Sequence, residues 1–272
     1  PWEINPPPLP WHTIDGIFKK IKMQLYIYIR QLWAKRANFI ETQTDLARQG
    51  ISSKLHYPIQ QIKVIPNSVN SKFIEESCRI SENNLFNIKN NIIFCLAAPY
   101  EHKNLDLIPY VANCLNKHFK KPPSFILTLP AKSKIWENVH RKSVSLGVTN
   151  LIKNAGVLNL DECINYYKRA KLVFLPTLLE IFSATYLEAM AMKVPIVTSD
   201  MDFAHDNCKE GAIYFCPRSF DDAAKKITML LENETLYRYQ INNGLKVLKT
   251  YPSNKQKYDA IFGWFDEIID SI

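Results

Sequence analysis

Residues 174–200 read FLPTLLEIFSATYLEAMAMKVPIVTSD. The apolar run Leu172–Leu175 predicts a short strand that Pro176 stops. Ser183 opens a helix expected to end near Met192–Lys193, and Pro195 begins a second buried strand, PIVTSD. Glu180 sits at the helix mouth and Glu188 follows eight residues later. That spacing is about 2.2 helical turns, which predicts both carboxylates on one side. A helix N-terminus beside the strand ends of a parallel sheet gathers free N–H groups and the positive end of the helix dipole. Such a place binds anions. Carboxylates beside it fit a ligand that carries hydroxyls as well as phosphates, as a nucleotide-sugar does.

Upstream of this stretch, strands and helices alternate from residue 91. NIIFCLA, SFILTLP, NLIKNAG and LVFLP read as strands. LDLIPYVANCLNKHF, IWENVHRKSVSLGV and DECINYYKRA read as the helices between them. Downstream come the strand AIYFCP and three helices, FDDAAKKITMLLEN, TLYRYQINNGLKVLKTY and NKQKYDAIFGWFDEIID. This alternation predicts an α/β fold with a doubly wound parallel sheet.

The first 70 residues follow a different pattern. Residues 17–36 form a basic amphipathic helix with Ile17, Ile21, Leu25, Tyr28, Ile29, Leu32 and Trp33 on one face. Two readings fit it: a helix on an anionic membrane surface, or a helix packed on a sheet with its basic residues in water. Phe39–Thr42 reads as a strand, Thr44 or Asp45 caps a short helix ending at Gly50, and QIKVIPNSVN gives a strand closed by Pro66-Asn67. Residues 71–90 are charged, Asn-rich and weakly periodic, and read as a linker.

Composition narrows the function. The 272 residues carry a formal net charge of +8, which suits a negatively charged partner. Nucleic acid is not expected, because the aromatic–basic interleaving and finger motifs that support it are absent from the sequence. No G-x-G-x-x-G and no G-x-x-x-x-G-K-[ST] occur. The six cysteines are scattered without a CxxC pair and read as small apolar residues in a reducing compartment. The string Asp200-Met201-Asp202 is short enough to arise by accident, and no metal is expected there.

Glu-x7-Glu followed by Ala-Met-Ala and a buried strand, with PYEHKNLDL (99–107) and NAGVLN (154–159) ahead of it, resembles the retaining glycosyltransferases of family 4. This is the group 1 family with the GT-B fold. The resemblance implies that residues 1–70 are the last part of an N-terminal, acceptor-side Rossmann-like domain, most of which is lacking. Residues 71–90 are then the linker region and 91–250 the Rossmann-like nucleotide-sugar domain, while 251–272 form a helix packing back on the first domain. It implies transfer of a hexose from a nucleoside diphosphate sugar to a glycan or lipid-linked hydroxyl with retention, without metal or other cofactor, in the cytoplasm or at the membrane periphery through 17–36.

The resemblance also assigns residues. Lys103 neutralises the diphosphate and Glu180 binds the donor sugar, and these two are the catalytic candidates. Gly156, Val157 and Leu158 lie near the base. The backbone of Ile181, Phe182, Ser183 and Ala184 meets the phosphates, with Thr185 a weaker candidate, and Glu188 takes the ribose hydroxyls. Many relatives place an Arg five positions before the Lys, where this chain has Ala98. His102 and Arg169 are the candidates to replace it. The alternatives are a catalytically degenerate nucleotide-binding or interaction module and, on charge alone, a nucleic-acid-binding domain.

Overall fold

The computed structural model describes residues 17–80, 85–88 and 91–270. It divides into two compact units. One gathers the residues up to Ser68, Leu179–Ser183 and those from Tyr251 onward. The other gathers Val69–Leu178 and Ala184–Thr250.

In the first unit, helix α1 (Ile17–Ala34) precedes strand β1 (Ile40–Thr42), helix α2 (Asp45–Leu55) and strand β2 (Ile62–Val64). β1 and β2 pair in parallel, Ile40 opposite Ile62. Thr44 caps α2, its hydroxyl accepting from the Ala47 amide at 3.1 Å. The helix does not end at Gly50 as expected but runs to Leu55, with His56 left-handed as its cap. Ala47, Ile51 and Leu55 are buried along one face, and their four-residue rhythm outweighs the roughly 1 kcal/mol cost of a helical glycine. Most of the apolar stripe of α1 lies in water. Ile21, Leu25, Tyr28, Ile29 and Leu32 are exposed, and Trp33 is 71% exposed, while Ile27 is buried.

The second unit opens with α3 (Ser71–Cys78) and α4 (Leu85–Ile88). The stretch read as a linker therefore carries a helix, capped by Asn70 and anchored by the buried Phe73; residues 81–84, 89 and 90 of it lie outside the described residues, as do residues 1–16 of the expected first domain. Alternation then follows: β3 (Ile92–Cys95), α5 (Ile108–His118), β4 (Ser124–Leu127), α6 (Lys134–Ser145), β5 (Ile152–Asn154), α7 (Leu160–Arg169), β6 (Leu172–Leu175) and α8 (Ala184–Ala191). β7 (Ile196–Ser199), α9 (Asp202–Cys208), β8 (Ile213–Phe215), α10 (Phe220–Glu232) and α11 (Glu234–Leu248) complete it. α12 (Asn254–Asp270) belongs to the first unit, where Trp264 meets Phe39 edge-on at 6.3 Å and Lys63 pairs with Glu267 at 3.1 Å.

All six strands of the second unit are parallel, in the order β5-β4-β3-β6-β7-β8. The chain winds outward through β4 and β5, then returns to place β6 beside β3. This reversal opens a crevice at the carboxyl ends of β3 and β6, where ligands bind in open α/β sheets. Both faces of the sheet are covered. β6 and β7 are buried at every residue, as expected of strands that read as continuous apolar runs. On the other side of α8, Gly211 and Gly244 let the backbone close in: a Cβ on Gly211 would stand 3.1 Å from the Gly244 Cα.

Candidate functional site

The loops after β3, β4 and β5 are clipped together by side chains the chain places at each strand end. The Thr128 hydroxyl accepts from the Ala97 amide at 3.1 Å, tying the β4 end to the β3 end. The Asn154 side chain accepts from the Leu129 amide and donates to the Leu129 carbonyl, both at 2.9 Å, tying β5 to β4. The same Asn154 oxygen takes the Gly156 amide at 3.2 Å, in a turn where Gly156 has φ +79. A side chain there would be strained, so glycine sets the path of residues 156–158.

The loop after β3 folds back on the sheet. The Leu178 amide donates to the His102 carbonyl at 2.7 Å, and Asn104, left-handed at φ 52, donates its side-chain amide to the Pro217 carbonyl at 3.2 Å. Asparagine tolerates that conformation better than most residues. These bonds fix Lys103 between two anchored neighbours.

Leu96, Ala97, Ala98, Lys103, Thr128, Val157, Leu158 and Thr185 line a cleft of about 230 Å3. Lys103 is its cation, and Val157 stands 75% exposed on its rim. Thr185 lies in the first turn of α8, so the amino end of that helix, the positive end of its dipole, faces the same end of the sheet. The residues read as base-side (Val157, Leu158) and phosphate-side (Lys103, Thr185) thus meet in one cleft.

Glu188 lies one turn beyond Thr185 on α8. Its Oε2 accepts a hydrogen bond from the Tyr167 hydroxyl at 2.8 Å. Burial raises the Glu188 carboxyl above the usual range, and the Tyr167 bond opposes that rise. Glu180 is placed differently from the sequence expectation. α8 begins at Ala184, so Glu180 lies in the preceding loop and helical periodicity does not relate it to Glu188. Of the backbone donors expected at Ile181, Phe182, Ser183 and Ala184, only Ala184 lies in the helix; the other three belong with Glu180 to the short segment grouped in the first unit. There Phe182 packs edge-on against Tyr251 at 5.8 Å.

The two candidates to stand in for an arginine at position 98 are placed differently. Arg169 ends α7, three residues before β6 begins, which puts it at the amino ends of the strands, opposite the cleft; it stacks on Tyr166 at 5.8 Å. His102 is pushed down to about 4 by its burial and by the charge of Lys103, so it is neutral at pH 7. Its ring stacks on Tyr100 at 5.4 Å.

In the D-x-D string, Asp200 pairs with His205 at 2.6 Å and Asp202 begins α9. Among the described residues no group of three or more His, Cys, Asp or Glu is placed to hold a metal ion. The six cysteines are free thiols, with Cys95, Cys163 and Cys208 buried.

Three residues at the site escaped the sequence reading. Thr128 is the first polar position after the apolar run of β4, and Asn154 is the last residue of β5. Tyr167 sits in a Tyr-Tyr pair, whose spacing does not say which ring faces inward.

Comparison with known proteins places this geometry. Residues 78–247 match the family model "Glycosyl transferases group 1". The chain is 22% identical over 243 residues to the O-antigen chain mannosyltransferase RfbU of Salmonella typhimurium, covering 86% of this chain and 64% of that protein's length. It superposes on a glycosyltransferase from Rickettsia africae with a TM-score of 0.72 at 14% identity, covering 88% of this chain and 66% of that one. An S. aureus TarM mutant in complex with fondaparinux, alpha-GlcNAc-glycerol and UDP matches with a TM-score of 0.66 at 18% identity, covering 90% of this chain and 46% of that one. These neighbours carry the GT-B fold. The chain therefore spans just under two thirds of the curated mannosyltransferase it matches; its parallel sheet, its cleft at the strand reversal and the match over 78–247 make it a member of the group 1 glycosyl transferase family.

Proposed function

We propose that this chain holds the donor site of a retaining hexosyltransferase, which moves a hexose from a nucleoside diphosphate sugar to a hydroxyl of a glycan or a lipid-linked sugar. The observation that carries this reading is the cleft joining Lys103, Val157, Leu158 and Thr185 at the carboxyl ends of the strands. The base lies along 156–158, the diphosphate meets Lys103 and the first-turn amides of α8, and Glu188 takes the ribose hydroxyls. Glu180 binds hydroxyls of the donor sugar. As the bond between the anomeric carbon and the diphosphate breaks, charge grows on the departing phosphate, where a fixed cation and helix amides stabilise it most. The acceptor oxygen bonds to the same face of the sugar, and its proton passes to the departing phosphate. No metal or other cofactor enters the scheme. The similar TarM structure contains UDP, which makes uracil the first base to try.

A thermal-shift panel of UDP, GDP, ADP and TDP, run on the chain and on Glu188→Gln, tests the site. One nucleotide is expected to raise the melting temperature, and the variant is expected to show a smaller rise. The unliganded variant should be at least as stable at pH 7. The folded carboxyl titrates above the unfolded one, so its ionisation costs stability as pH climbs from the unfolded value through the folded one. The amide escapes that loss and still accepts the Tyr167 bond. A rise unchanged in Glu188→Gln would refute the ribose assignment.

The second reading is a nucleotide-binding module that does not transfer. It is favoured by Ala98 in the clamp, with Arg169 at the far end of the sheet and His102 uncharged. Binding without turnover of the matching nucleotide-sugar, in a protein carrying the acceptor domain, would decide for it.

Peripheral attachment to an anionic membrane is the role we propose for α1. Its exposed Ile21, Leu25, Ile29, Leu32 and Trp33 share the helix with Lys22 and Arg30, and Lys35 and Arg36 follow directly after it, the composition of an interfacial helix. No described helix is long and apolar enough to cross a membrane. Sedimentation with vesicles containing phosphatidylserine is expected to carry the chain down, and Trp33→Glu with Leu25→Glu to abolish it. Equal pelleting with purely zwitterionic vesicles would count against charge recognition.

A further inference from the structure

Tyr167 and Glu188 form a pair that the donor-site reading leaves partly unused. Tyr167 is 0% exposed. Its ring is held edge-on by Phe73 of α3 at 5.7 Å and by Phe94 of β3 at 5.1 Å. With the ring locked, the hydroxyl has one direction to point, and it donates to Glu188 Oε2 at 2.8 Å. Thr185, which lines the cleft, lies one turn before Glu188 on α8. The pair therefore lies directly behind the cleft wall.

A buried phenol needs a partner, and a neutral threonine or glutamine would satisfy it at less cost than a carboxylate, whose burial opposes its charge. The carboxylate needs another justification, and its second oxygen supplies one. A lone glutamate on a helix rotates about three side-chain bonds. One oxygen fixed by a rigid donor leaves the other aimed, with its lone pairs available for a hydroxyl.

We propose that Tyr167 is a positioning residue for the nucleotide ribose: it pins one oxygen of Glu188 so that the other meets the ribose hydroxyls. This inference rests on the reading of Glu188 as the ribose carboxylate. It makes α3, packed against Tyr167 through Phe73, part of the support for nucleotide recognition.

The test measures binding of ADP, CDP, GDP and UDP by calorimetry, then compares the ligand that binds with its 2′,3′-dideoxy counterpart. The chain is expected to prefer the ribose form by roughly tenfold, the size of one well-placed hydrogen bond to a charge. Tyr167→Phe keeps the ring and is expected to erase most of that preference while leaving affinity for the dideoxy form unchanged. A purely structural tyrosine would instead weaken both ligands together, and that result would overturn the proposal, as would a preference that persists. In a Glu188→Gln background the phenylalanine orphans no charge, so the double variant reads the coupling even where the single one folds poorly. Its preference is expected to equal that of Glu188→Gln alone, and a further loss would overturn the coupling. If the unmutated chain binds no nucleotide, or binds ribose and dideoxy forms alike, the Glu188 reading fails and this inference with it.

Discussion

Lys103→Met is expected to weaken nucleoside diphosphate binding about a hundredfold while changing the affinity of the bare nucleoside little. A hydrogen bond between charged groups contributes roughly 1.5–3 kcal/mol, and each 1.4 kcal/mol is a factor of ten. Methionine keeps the length and much of the apolar stem of lysine, so the loop should hold its shape. The Leu178 amide to His102 carbonyl bond and the Asn104 side-chain bond to Pro217 anchor that loop without the lysine charge. Charge at this point matters because Ala98 offers none and His102 is neutral at pH 7. The expected signature is a diphosphate affinity that falls with salt in the unmutated chain and hardly responds in the variant. Calorimetry at two ionic strengths checks it. Equal loss for nucleoside and diphosphate would mean that Lys103 shapes the cleft rather than meeting the phosphates.

Much of this site is written in the sequence, because its parts sit where local rules apply. Lys103, Gly156 and Thr185 follow or precede apolar runs that mark strands, and the loops at strand carboxyl ends are where an α/β sheet binds ligands. The difference at Glu180 is also local: α8 begins at Ala184, and a carboxylate four residues before the first helical position has no helical face. What the sequence withheld depends on which strands become neighbours. β3 and β6 pair through Ile93 and Leu172, far apart in the chain, and no periodicity encodes that pairing. Arg169 shows the consequence. It lies close in sequence to Phe174 and looked available to the phosphates, yet α7 runs antiparallel to the strands and carries it to the opposite end. Tyr167 is hidden for a related reason: only the packing of Phe73 and Phe94 around it turns this tyrosine inward. In α2, Gly50 taken alone reads as a stop, but the buried Ile51 and Leu55 beyond it carry the helix on.

The same long-range pairing makes Phe174→Ala the most damaging single truncation to expect in the second unit. Phe174 is fully buried in β6, between β3 and β7. Its ring meets Phe215 of β8 at 5.4 Å and Phe125 of β4 at 6.1 Å, so one side chain ties strands from both halves of the winding. Removing a buried phenylalanine costs about 3–5 kcal/mol, because the cavity is only partly refilled. Domains of this kind have about 5–15 kcal/mol in all. At roughly 2–4 °C per kcal/mol for a unit of this size, the melting temperature should fall by about 6–20 °C. Phe174→Leu refills most of the space and should recover the larger part. The loss should also reach the donor site, since Pro176 to Leu178 continue directly from β6 and the Leu178 amide anchors the loop of Lys103. Thermal unfolding of Phe174→Ala, with and without saturating nucleotide, separates the two effects. A fall in stability below about 1 kcal/mol would mean that the two halves of the sheet are held by other contacts and that Phe174 is not their common point.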